Sequence, residues 1–89
     1  MDPKLQELLD KKACEEVVHR YGRTQDWLDT PGQDSCFWPD ADIDFGFFKG
    51  NGADWVEAVM VHEAKAERRW HMCNSVLIEV DGNKAVGEC

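Results

Sequence analysis

Eighty-nine residues, 43% hydrophobic and 31% charged, have room for one modest globular domain and do not read as a disordered chain. The net charge of −8 and pI near 4.7 argue against a nucleic-acid backbone or an anionic membrane as partner, because either would repel this surface. No apolar run approaches the roughly 20 residues of a spanning helix, and the charged opening "MDPKLQELLDKKACEE" carries no secretory h-region, so the cytoplasm is the expected compartment.

Asp2 followed by Pro3 is a cap and first-turn signature. From there Leu5, Leu8, Leu9, Ala13, Val17 and Tyr21 recur at spacings of three and four, which predicts an amphipathic first helix. Gly22 is expected to weaken or end it, with a short helical tail through "RTQDWL". Thr30 as cap, Pro31 at the first position and Gln33 three residues on predict a second, short helix that Pro39 closes. In "ADIDFGFFKG", Ile43, Phe45 and Phe47 alternate with Asp42, Asp44, Gly46 and Phe48, the pattern of one half-buried strand. A turn over residues 49–52 leads to "ADWVEAVMVHEAKAERRW", where Val56, Val59, Met60 and Ala64 restore helical spacing. A strand over 70–80 follows, Asp81-Gly82 signals a hairpin, and "KAVGEC" begins its return strand.

The order is helix, helix, strand, helix, strand, strand, an α+β pattern forming a single domain over 1–89. So few strands beside three helices leave a sheet face and an edge uncovered, a hazard that natural domains avoid. Either a small domain dimerises across that edge, or these residues are the front portion of a longer domain cut within its sheet. The second is the expectation.

Cys14, Cys36, Cys73 and Cys89 show neither a C-x-x-C pair nor a zinc spacing, so free thiols and no metal are expected. Asp40, Asp42 and Asp44 lack the glycine-turned loop of a calcium site and read as a solvated strand face. Trp27, Trp38, Trp55 and Trp70 read as core or pocket lining. His19 and His62 read as surface or boundary residues.

Tyr21, Asp26 and His71 are the residue types that could carry chemistry. A histidine beside a carboxylate serves as a general base near neutral pH, the carboxylate holding the tautomer and stabilising the imidazolium. A tyrosine hydroxyl can donate to a developing oxyanion or leaving group. The blander reading makes Tyr21 a core aromatic and Asp26 a solvated turn residue. On an unbroken helix Asp26 falls about 140° from Tyr21, so a shared site requires the helix to bend or end near Gly22.

Three stretches carry a resemblance. "LQELLDKKACEEVVHRYGRTQDW" is similar to the opening helix of SnoaL-like proteins in the nuclear transport factor 2-like superfamily. "FWPDADIDFGFFKG" resembles their next segment, and "RRWHMCNSVLIEVDGNKAVGE" resembles the strand-hairpin after their third helix. The order and spacing of these stretches extend over essentially the whole chain.

The resemblance implies a curved, mostly antiparallel sheet closed with helices into a cone-shaped α+β barrel around an apolar pocket, here truncated in the sheet. It is nearest the branch of scytalone dehydratase, bile-acid 7α-dehydratase and a hexachlorocyclohexane dehydrochlorinase. That branch implies a catalytic Asp26–His71 pair with Tyr21, and no cofactor or metal. The implied reaction is a dehydratase-type lyase or isomerase step on a small apolar hydroxylated molecule, in a protein forming a dimer or trimer. Two alternatives share the fold: a non-catalytic small-molecule-binding or oligomerisation module, and a structural partner like the β subunit of a ring-hydroxylating oxygenase.

Overall fold

The computed structural model describes residues 1–89. Helix α1 spans Pro3–Asp26, α2 Thr30–Asp34 and α3 Gly52–Glu63; strands are β1 Asp42–Asp44, β2 Lys49–Asn51, β3 Leu77–Asp81 and β4 Lys84–Glu88. No helix is long and apolar enough to cross a membrane.

Local chemistry accounts for the helix ends. The Asp2 carboxylate accepts from the Lys4 amide at 2.8 Å and Pro3 opens α1, so one orphan donor is met and none is wasted. Contrary to expectation, α1 runs straight through Gly22 to Asp26. It stops in a Schellman turn: the Asp29 amide donates to the Thr24 carbonyl (2.8 Å), the Leu28 amide to Gln25 (3.1 Å), and Leu28 takes the left-handed φ of +52°. The chain then enters α2 at once. Asp29, not Thr30, is the cap, its carboxylate accepting from the Gly32 amide at 3.0 Å. The Thr24 hydroxyl lies 2.6 Å from the side-chain amide oxygen of the fully buried Gln33, tying α2 to α1.

The single strand expected over residues 42–48 is a hairpin instead. Ile43 pairs with Gly50 and Asp44 with Lys49. The turn forms because Asp44 accepts from the Gly46 amide at 3.0 Å and Gly46 takes a φ of +81°, open to glycine at no cost. Apolar alternation here reports three phenylalanines around a turn, not one pleated face. Phe45, Phe47 and Phe48 surround the Trp55 ring, with centroids 4.6, 6.1 and 5.2 Å away. Asn51 then caps α3, accepting from the Asp54 amide at 2.8 Å.

Ile43, Trp55, Val56, Val59 and Met60 form the buried core, with Phe37, Ala41 and Phe48 packed against it. Trp55 is thus a core residue, whereas Trp27, Trp38 and Trp70 are exposed. Leu5, Leu8 and Leu9 are exposed too, so the apolar stripe of α1 is uncovered over its first turns.

The third helix ends at Glu63 rather than near Trp70, and the following strand begins at Leu77 rather than Trp70. β3 and β4 pair antiparallel about a two-residue loop, Gly82-Asn83, one position beyond the predicted turn. The strands make two separate two-stranded sheets, β1–β2 and β3–β4, in place of one curved sheet, and no barrel closes.

Candidate functional site

Two helix ends meet at the site. Asp26 is the last residue of α1 and Glu63 the last of α3. Between them passes the irregular segment after α3, carrying Arg69 and His71.

Arg69 makes the junction. Its Nε donates to the Asp26 carbonyl at 3.2 Å, and its Nη1 donates to the carbonyls of Glu63 (3.3 Å) and Ala66 (2.7 Å). The carbonyls at a helix C-terminus are unpaired and carry partial negative charge, so one guanidinium satisfies and neutralises two helix ends together. Nothing in the one-dimensional pattern singles out Arg69 from Arg68.

His71 lies across α1 at Gly22. A Cβ on Gly22 would stand 3.3 Å from both His71 Cβ and Cys73 Sγ, so this close crossing depends on the missing side chain. The crossing also removes the angular objection raised by the sequence. Gly22 lies about 40° around the helix from Asp26, so a residue placed above it reaches that carboxylate. Tyr21, about 100° away on the other side, meets His71 only as another part of the same cleft lining. Bending of α1 is not needed.

The contacts are short and directional. The His71 amide donates to Asp26 Oδ2 at 3.0 Å, and His71 Nδ1 lies 2.6 Å from Asp26 Oδ1. One carboxylate therefore takes both the main chain and the ring. The segment forms no strand here because its amide is spent on α1, which corrects the expectation of His71 at a strand head. On the other ring edge, Nε2 lies 3.6 Å from Glu63 Oε1. Burial opposes ionisation of Asp26, but the two His71 hydrogen bonds and the positive charges of His71 and Arg69 hold its carboxyl below the usual range.

Tyr21 is half-buried and lines the same cleft as His71. Burial, with the nearby charges of Cys73 and Glu63, pushes its phenol above the ordinary value, so it keeps its proton at neutral pH. The cleft is open, with a volume of about 460 Å³, within the common range for small-molecule sites. Its lining mixes apolar side chains, Phe47, Phe48, Trp55, Ala58 and Val59, with the polar Tyr21, Gln25, His62, Glu63 and His71. Asp26 stands behind His71, outside the lining. A larger depression of about 690 Å³ on that far side is lined by Asp26, Trp27, Trp70 and the charged run Glu67 to Arg69, and is largely open to solvent.

Asp26, His71 and Tyr21, all named from sequence, are thus brought together. Glu63, Gln25 and Arg69 were missed. Glu63 offered one signal, its place one turn after Val59 on the inner side of α3. His62, read as a surface or boundary residue, is exposed and lines the cleft. Asp40, Asp42 and Asp44 do not converge, and no group of three His, Cys, Asp or Glu side chains is placed to hold a metal ion.

A family model described as a SnoaL-like domain matches residues 6–89. The chain belongs to the SnoaL-like family. Membership supports an α+β fold of the nuclear transport factor 2-like kind, built to bind small molecules, and the helices and antiparallel ladders fit that class. No curated protein and no solved structure matches the chain. The SnoaL-like fold sets a frame for the cleft, while the chemistry must be argued from the residues in it.

Proposed function

We propose that this SnoaL-like domain is a cofactor-independent lyase or isomerase that removes a proton from a small, largely apolar, hydroxylated molecule. The observation that carries the reading is the 2.6 Å contact between His71 Nδ1 and Asp26 Oδ1 at the edge of an aromatic cleft. With Nδ1–H given to Asp26, the Nε2 lone pair is the basic edge of the ring, and it is the edge nearer the cleft-lining Glu63. Asp26 stays ionised and stabilises the imidazolium formed when Nε2 takes the proton. In a dehydration the C–H bond breaks toward Nε2, its electron pair forms the alkene, and the C–O bond breaks to release hydroxide, which leaves as water on protonation. Tyr21, still protonated, donates a hydrogen bond to the departing oxygen or to a neighbouring carbonyl. The aromatic and aliphatic side chains of the lining offer apolar contact to the carbon skeleton.

The test is turnover of a panel of cyclic β-hydroxy ketones, followed by absorbance of the conjugated enone. His71→Gln and Asp26→Asn should each lower kcat/KM by about 10²–10⁴-fold, the usual contribution of a positioned base, with circular dichroism unchanged. Unchanged turnover in either variant removes the pair from the mechanism.

The cleft itself favours a second reading, a non-catalytic binding module, since an aromatic pocket binds ligands whether or not it transforms them. That reading expects ligands to raise Tm without chemical change and to do so equally in His71→Gln. Self-association belongs with it: β4 is exposed along its whole length, and Leu77 and Val86 lie bare on the hairpin.

A further inference from the structure

His71 has a carboxylate at each edge of its ring. Asp26 takes Nδ1 at 2.6 Å, and Glu63 faces Nε2 at 3.6 Å. The second contact poses a physical problem. With Nδ1–H donated to Asp26, Nε2 of a neutral ring is an acceptor, and an ionised carboxylate is also only an acceptor. Two bare acceptors so close repel, and both are partly removed from water, with side-chain exposures of 32% for His71 and 17% for Glu63. A proton between them turns repulsion into attraction. It can sit on Nε2, giving imidazolium and carboxylate, or on Glu63, giving a carboxylic acid beside a neutral base.

We propose that Glu63 is a further catalytic residue, which shares one proton with His71 Nε2 and delivers it to the leaving group. This rests on the elimination reading above and completes it. In the reactive form the proton is on Glu63 and Nε2 is free. Nε2 takes the substrate proton as the C–H bond breaks, the C–O bond breaks with its electron pair on oxygen, and the Glu63 proton goes to that oxygen, so water leaves. The pair ends as imidazolium and carboxylate, and transfer of the Nε2 proton to Glu63 restores the start. No proton is needed from solvent. A tyrosine held protonated by burial is a weak acid for this step, and the Glu63 carboxyl in the same cleft is the better donor. Arg69 is the positioning residue: by holding the carbonyls of Asp26 and Glu63 it sets both carboxylates against one ring.

The test uses diethyl pyrocarbonate, which acylates an imidazole only at an unprotonated nitrogen, with rates at each histidine read by peptide mass spectrometry. The groups facing His71 are Tyr21 and Asp26 from α1, His62 and Glu63 from α3, and Arg69 and Cys73 from its own segment. In Glu63→Ala, His71 should react about fivefold faster than in the unaltered protein at pH 6, the size of a partly exposed ion pair, and the ratio should fall toward one by pH 8. His19 supplies the internal standard. It sits 3.5 Å from Glu15 with both side chains well exposed, and Glu15→Ala should change its rate less than twofold. Equal His71 rates at pH 6 overturn the shared proton. A ratio that is constant with pH also overturns it, because Glu63 would then only block access. The labelling involves no turnover, so the expected rates together with full activity in His71→Gln would sink the elimination reading, and with it the acid role of Glu63, while leaving the pair.

Discussion

The dry core and the polar junction hold the molecule in different ways. Ile43, Trp55, Val56, Val59 and Met60 are joined by area alone, from elements close together in sequence. Asp26, Arg69, His71 and Glu63 are polar and only partly buried, yet directed hydrogen bonds join two helix ends to a segment 45 residues away from the first. Hydrophobic contact tolerates small shifts, because it has no direction. A hydrogen bond of 2.6 Å does not. The core should therefore govern stability and the junction should govern chemistry, and variants can be chosen to pull these apart.

Trp55→Ala should have the largest effect. It removes the ring that three phenylalanines surround, and loss of a buried aromatic costs about 3–5 kcal/mol, enough to unfold a marginal domain at ambient temperature. Urea unfolding followed by circular dichroism would measure it. A loss below about 1 kcal/mol would mean that the cluster around Trp55 is not the main stabilising unit.

Asp26→Ala should cost less, about 1–3 kcal/mol, chiefly by leaving the His71 amide and ring without their acceptor. Its pH dependence has a definite sign. The folded carboxyl titrates below its ordinary 3.8, so its contribution is complete above that value and is lost as the pH falls through the lower folded one. The stability gap between the parent and Asp26→Ala should narrow as the pH falls below about 4. A gap that widened on acidification would contradict the hydrogen-bonded carboxylate.

Gly22→Ala should barely change stability, by under about 1 kcal/mol. Alanine's helix advantage over glycine, near 1 kcal/mol, is offset by a methyl pressed to 3.3 Å from His71 and Cys73. Turnover should nevertheless drop by about tenfold or more, because a small displacement of His71 breaks the alignment with Asp26. Full activity in Gly22→Ala would show that the close crossing has no part in positioning the ring.

Much of the local architecture was legible. Asp2 and Pro3 mark the start of α1, the "TPGQD" helix starts at its proline signal although Asp29 and not Thr30 caps it, and the β3–β4 turn falls within one residue of the Asp-Gly signal. The misreadings share a cause. Phe45 and Phe47 alternate with polar or small neighbours as a strand would, but Trp55 recruits them from a turn. Gly22 reads as a helix breaker by propensity, yet serves as a gap over which the chain passes. Of the site, residue types were legible for Asp26, His71 and Tyr21, and the family resemblance supplied their association. Arg69 was invisible, and Glu63 showed only its spacing from Val59, because a carboxylate and a guanidinium in a charged helix tail look like any solvated face.

Caps, turns and helical periodicity act over a few residues, through hydrogen bonds and φ preferences that each short segment carries with it. Those the sequence determined by itself. Whether Asp26 meets His71, which edge of the ring Glu63 faces, and how one arginine joins two helix ends depend on the packing of segments far apart along the chain. Only the tertiary structure decided them, since no local preference measures the distance between residues that the fold alone brings together.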